Sequence, residues 1–232
     1  MRHLLMLFAI AAGISLLPAG QYTARASDGK AIVEGECAAC HNVTGPAPTT
    51  FSGVVARKAP DLFYAGSKFK RDWLVGWLQN PTVIRRAGTM FLNHIVTVDG
   101  KDRINPDTIK PCAAKLSPQA AQAVADHLMT LKDDTMNTDV VDPTKKFRVS
   151  KARLLITKKL PCSGCHQLQF GKRIIGGVSG PILTEAGQRL NPDWIYSRIE
   201  NPQYWDPKTS MPKIGMSHAK RELLTLLISS MN

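Results

Sequence analysis

The motif Cys-x-x-Cys-His occurs twice, as Cys37-Ala38-Ala39-Cys40-His41 and as Cys162-Ser163-Gly164-Cys165-His166. Two thiols three residues apart on a short turn, followed at once by an imidazole, form the pattern that attaches c-type haem. The thiols reach the two vinyl groups, and the adjacent ring is delivered to the iron from the same side. On this reading Cys37, Cys40, Cys162 and Cys165 carry two covalently bound haem c groups, with His41 and His166 as proximal iron ligands. A single Cys-x-x-Cys would equally suit half a zinc site or a redox dithiol. Two copies, each ending in His, favour haem.

The N-terminus points to export. Arg2 and His3 precede an apolar run over residues 4–17, followed by Pro18 and the small-residue site Ala24-Arg25-Ala26. This is the layout of a signal peptide cleaved near Ala26. The apolar run falls short of the roughly 20 residues that span a bilayer. The expected location is therefore periplasmic, where covalent haem attachment also occurs.

The 232-residue chain carries net charge +12, and loss of residues 1–26 removes Arg2 and Arg25 and no acid, leaving 28 bases against 18 acids. Four haem propionates would lower the resulting +10 to +6. A basic electron carrier suits redox partners with acidic docking surfaces, or a membrane-bound complex with an anionic face. Nucleic acid is a poor partner, because the bases are scattered and the chain is exported.

The chain also repeats itself. Pro60 to Gly66 aligns with Pro181 to Gly187, Asp72-Trp73 with Asp193-Trp194, Asn80-Pro81 with Asn201-Pro202, and Met90 with Met211, all at an offset of 121. The offset is 125 at the haem motifs, so the first copy has four more residues before Pro60. It is 100 at Ser117 and Ser217, so the first copy also holds about 21 extra residues after Met90.

Helices with long loops suit these segments. Asn191-Pro192 and Ser117-Pro118 are N-caps followed by proline. Asn80-Pro81 and Asn201-Pro202 mark helix ends. Val124, Leu128 and Leu131 share one helical face, as do Leu223, Leu224, Leu227 and Ile228. Residues 132–148 are polar and aperiodic, and residues 149–160 suit the first helix of a second domain. No segment shows sustained strand alternation. The expected organisation is a signal peptide (1–26), domain one (27–131), a linker (132–148) and domain two (149–232).

With these motifs the chain resembles the class I cytochrome c family in tandem, as in bacterial dihaem cytochromes c, over nearly all of residues 28–232. The resemblance implies an all-α fold of two helical domains, each wrapped around one covalent haem. It also implies that the carbonyls of Pro60 and Pro181 receive the N–H of the proximal imidazoles. The family's sixth ligand is a methionine, commonly before proline, and Met211-Pro212 matches. Domain two is small, and its haem would supply much of the apolar interior.

Domain one departs from that pattern. Met90 matches Met211 by offset but is followed by Phe91, and the insertion 91–116 separates it from its closing helix. Cys112 lies five residues before Ser117, where a ligand would fall if counted backwards, and His94 is a third candidate. The gapless offset favours Met90. Cys112 is otherwise a buried free thiol. His127 and His218 suit helix surfaces or caps. Trp73, Trp77 and Trp194 suit core aromatics.

The resemblance implies electron transfer: single electrons carried from a donor dehydrogenase or quinol-oxidising complex to an acceptor such as a terminal oxidase. His/Met iron leaves no open position for substrate. The alternative is a dihaem oxidoreductase of the thiosulfate dehydrogenase type, with iron ligated by Cys112. An open first iron would suit peroxidase-like chemistry. A permanently docked electron-transfer subunit, with 91–116 as contact loop, is a third arrangement.

Overall fold

The computed structural model describes residues 28–232, so the signal-peptide reading lies outside the described residues. The offset of 121 is a structural equivalence. The short helices Ala65–Lys68 and Ala186–Arg189, and the tryptophan helices Arg71–Gln79 and Pro192–Glu200, match residue for residue at that spacing. The closing helices Pro118–Thr130 and His218–Ser229 match at 100.

Local chemistry explains the helix starts. Asp28 caps the opening helix Gly29–Gly35, its carboxylate accepting from the Lys30 and Ala31 amides at 3.0 and 3.3 Å. Ser117 Oγ accepts from the Ala120 amide at 3.2 Å, and Pro118 follows at the first turn. Asn191 Oδ1 accepts from the Asp193 amide at 3.0 Å. Ser217 has the extended backbone of a cap but makes no side-chain capping bond. The helix expected over 149–160 runs regularly only over Val149–Leu154, then widens into a π-turn over Leu155–Lys159.

Each half has its own core. In the first, Val33, Leu74, Leu78, Val124 and Leu128 are buried together. In the second, Ile156, Leu168, Trp194, Leu224 and Leu227 are. In both, a glycine of the short helix donates to the end of the closing helix: Gly66 N to Leu131 O at 2.8 Å and Gly187 N to Met231 O at 2.9 Å.

The halves meet in a self-complementary contact. Phe69 and Leu190 form an antiparallel bridge, with Lys70 N donating to Arg189 O at 3.0 Å and Asn191 N donating to Lys68 O at 2.9 Å. Each bond is the other with the halves exchanged, which is what a two-fold contact between like surfaces requires. The segment 132–148 lies against this assembly. The Asp193 carboxylate accepts from the amides of Asp139, Val140 and Val141, and Val141 packs with Tyr196 and Leu226.

The all-α expectation is overturned. About 45% of the structure is helix and 8% strand, in two antiparallel hairpins, so the fold is a mixed α/β one. One hairpin pairs β1 (Ile95–Val98) with β2 (Lys101–Ile104), the other β3 (Leu168–Phe170) with β4 (Arg173–Ile175). The physical reason lies in the turns. Asp99 and Gly100 have φ of 52° and 70°, the two left-handed residues of a type I′ turn, and Asp-Gly in a two-residue hairpin loop selects that turn. Gly171, at φ 61°, opens the second. Strands of three and four residues are too short to show the alternation by which longer strands are recognised.

Candidate functional site

At the first motif the chain makes a single tight turn, Cys37–Ala39, in which the Cys40 and His41 amides donate to Cys37 O at 3.1 and 2.9 Å. His41 Nδ1 donates to Pro60 O at 2.6 Å. The second motif forms one helical turn, Cys162–Cys165, and the His166 amide returns to Cys162 O at 3.0 Å. His166 Nδ1 donates to Pro181 O at 2.8 Å. A carbonyl can only accept, so each ring carries its proton on Nδ1 and leaves the Nε2 lone pair bare for a metal.

Burial disfavours the charged form of both imidazoles. Burial pushes the pKa of His41 down, against the bond it donates to Pro60, with Lys68 adding to the depression. Burial does the same at His166, against the bond it donates to Pro181, with Arg85, Arg189 and Arg198 adding to it.

At the second motif the following loop lies directly on the turn. A Cβ at Gly180 would fall 2.8 Å from His166 Cε1, and one at Gly176 only 2.1 Å from His166 O. Only glycine admits that approach.

The five cysteines are free thiols. Burial raises the Cys37 thiol, and the charges of Cys112 and Glu36 raise it further, so Cys112 lies within electrostatic range of the first motif. Burial also raises Cys162. Among the described residues no three His, Cys, Asp or Glu side chains converge into a metal-binding group. Neither cysteine pair is thereby completed to the four-ligand set that zinc takes.

Met211 is held in a latched loop. Its amide donates to Thr209 Oγ1 at 3.3 Å, its carbonyl accepts from Gln203 Nε2 at 3.0 Å, and Arg198 Nη2 of the tryptophan helix donates to the same Thr209 hydroxyl at 3.0 Å. Met90 immediately precedes the helical turn Phe91–His94, accepting from the Asn93 amide at 3.0 Å. His94 is engaged inside the insertion. The Thr108 hydroxyl donates to Asn105 O at 2.8 Å, so it accepts from His94 Nδ1 at 2.9 Å. The other edge of the His94 ring lies against Gly88.

The tryptophan Nε1 atoms of Trp77 and Trp194 are buried with no hydrogen-bond partner. Trp73 stacks between Phe69 and Trp77, with ring centroids 5.6 and 5.7 Å apart. Orphaned buried indole donors, one in each half, together with two Nδ1-fixed imidazoles and two free thiol pairs, fit a large ligand bearing acceptor groups, as haem does with its propionates. Cys37, Cys40 and His41 would hold one, and Cys162, Cys165 and His166 the other.

Sequence reasoning missed the charged residues of the shared face: Arg57, Asp61, Lys68, Arg85, Arg189, Arg198 and Asp206. One signal was present, since Lys68 and Arg189 are both basic at the offset of 121. His218 Nδ1 bonds the Tyr196 hydroxyl at 2.7 Å. Among the described residues no helix is long and apolar enough to cross a membrane.

No family model, curated protein or solved structure matches the chain.

Proposed function

We propose that the chain is an exported, periplasmic dihaem c-type cytochrome, similar to the class I family in its motifs, that carries single electrons between redox proteins. The observation that carries this reading is the paired hydrogen bond, His41 Nδ1 to Pro60 O and His166 Nδ1 to Pro181 O. It recurs in both halves despite four extra residues in the first. A dithiol redox motif demands no imidazole locked in that tautomer, and a zinc-bound histidine, which would share it, needs further ligands that neither motif gathers among the described residues.

Bound haem would supply reversible one-electron exchange at iron. The chain's contribution is to hold and tune it. His41 and His166 present bare Nε2 atoms and gain basicity from their proline carbonyls. Met211, and Met90 in the first half, are the distal ligands of this reading, and a neutral thioether favours ferrous iron. The bridge between Phe69 and Leu190 keeps the two sites in one assembly rather than on a free tether. Donors such as a dehydrogenase or a quinol-oxidising complex, and acceptors such as a terminal oxidase, suit a carrier of this kind. The basic surface suits acidic docking faces on them.

Intact mass of the purified protein tests the core of the proposal. Two haem additions and an N-terminus near Ser27 are expected; no covalent addition at either motif refutes it.

The proximity of Cys112 to Cys37 favours a second reading. If Cys112 ligates the first iron, the chain is an oxidoreductase resembling the dihaem thiosulfate dehydrogenases, with the second haem as electron exit. The ligand variants described below separate the two.

A further inference from the structure

Five cations gather where the halves meet. Arg57 is ion-paired with Asp61 at 3.3 Å and donates to Asp206 at 3.1 Å, engaging both carboxylates. Arg189 is 5% exposed, and its Nη2 donates to Ile182 O at 2.5 Å. Arg198 donates to Pro202 O at 2.9 Å and Thr209 Oγ1 at 3.0 Å. Lys68, from the first half, lies over the rings of Phe69, Trp194 and Tyr64 at 4.7, 5.2 and 5.7 Å, so its ammonium faces a tryptophan of the second half.

Arg85 has no ion pair or side-chain hydrogen bond among the described residues, although burial lowers its pKa. Its place is set by the backbone: Ile182 N donates to Ile84 O at 3.2 Å, one residue from the proline that fixes His166. The charge felt at His166 includes that of Arg85, whereas the charge felt at His41 is that of Lys68.

Two carboxylates against five cations leave an excess of three positive charges in a recess where Arg189 and Asp61 are buried and the other cations only part-exposed. Each unpaired buried ion costs several kcal/mol. Burial pushes Lys68 well below its usual pKa, and Arg85, Arg189 and Arg198 push it further. Such a cluster is tolerable only when anions enter it. Guanidinium forks and orphaned indole N–H groups such as Trp194 Nε1 are suited to carboxylate oxygens.

Resting on the two-haem reading, we infer that this recess receives the propionate carboxylates of both haems, and that Arg85 of the first half is a counter-ion of the second haem. The two redox centres then share one electrostatic site, and the carboxylates complete the contact between the halves. A solution oxyanion has the same chemistry and is the other source to distinguish.

The test is a potentiometric titration of the holoprotein, with the second haem's wave assigned through the Met211→Ala variant. Arg85→Gln removes a positive charge that favours ferrous iron. It is expected to weaken reduction of the second haem about tenfold, about 59 mV for one electron, and to move the first haem less. Arg85→Lys should restore most of the shift. Lys68→Met, a second variant should the first fold poorly, should lower both potentials. Potentials of the wild type should not respond to added phosphate. Two covalent haems with unmoved potentials in both variants, a larger shift at the first haem in Arg85→Gln, or a phosphate-dependent wild type would each overturn the inference alone. Absence of covalent haem by mass would overturn it together with the reading beneath it.

Discussion

Gly66 and Gly187 are the positions where the repeat is most sharply constrained. A Cβ on Gly187 would sit 2.2 Å from Ser229 O, 2.6 Å from Ser229 C and 2.9 Å from Met231 O. A Cβ on Gly66 would sit 2.4 Å from Met129 O. These are backbone atoms at the ends of the closing helices. Relief therefore requires moving a helix whose Leu224 and Leu227, or Val124 and Leu128, are buried in the core. Alanine ordinarily stabilises a helical position over glycine by about 0.5–1 kcal/mol. Overpacking a filled site costs about 1–3 kcal/mol, and contacts this short lie at the upper end. The net expectation for Gly187→Ala is a loss of about 2 kcal/mol, a fall in Tm of about 4–8 °C for a chain of this size.

Gly76 is the control. It lies inside the helix Arg71–Gln79, and a Cβ there would meet nothing within 4 Å. Gly76→Ala should raise stability by about 0.5–1 kcal/mol. Thermal and urea unfolding of the holoprotein, followed by circular dichroism, read both variants. If Gly187→Ala proves as stable as Gly76→Ala, the close approach of short helix and closing helix is not as described and the equivalence of the halves fails at its tightest point.

Met211→Ala should lower the potential of the second haem and change its spectrum; an unchanged wave would show that another residue holds that position. Met90→Ala should change the first haem's spectrum and potential while Cys112→Ser leaves both nearly as they were. The reverse pattern would mean thiolate ligation and the oxidoreductase reading. Arg57→Met leaves Asp61, 2% exposed, and Asp206 without their shared cation, a loss of about 3–5 kcal/mol at pH 7. Burial already raises the Asp61 pKa against Arg57, and removing Arg57 raises it further. A raised folded pKa retains its stability below the unfolded value and loses it as pH rises. The deficit should therefore shrink toward pH 4; equal deficits in urea melts at pH 4 and pH 7 would refute that sign.

How far the sequence could be read depended on whether a residue's role is local. The haem motifs, Ser117-Pro118 and Asn191-Pro192 act within a turn, and the helices they open stand where the pattern placed them. The repeat was legible because equal spacing needs no knowledge of packing, and Gly66 and Gly187 then show why the spacing is kept. The hairpins were missed because runs of three and four residues are too short to show alternation, and the turn residues Asp99-Gly100 went unread. The cation cluster was invisible for a different reason. Charged residues are solvated by default, and nothing in the order of residues says that Lys68 meets Trp194 across the shared face.

The insertion shows why counting along the chain could not decide the first distal ligand. Residues 91–116 close on themselves. The register Ile95↔Ile104 is extended by Asn105 N to His94 O at 2.7 Å, and His94 is bonded to Thr108. The segment then rejoins the core where Leu116 N donates to Leu78 O at 3.1 Å. A module that leaves after Met90 and returns at Leu116 adds length without displacing either end, and long surface loops cost little in closure entropy. Counting forward from Pro60 therefore arrives at Met90, and counting back from Ser117 arrives at Cys112, within electrostatic range of Cys37, with both counts sound. The two residues differ in charge: a thioether favours ferrous iron and a thiolate favours ferric iron. The direction in which the first haem's potential moves in the two variants identifies the ligand.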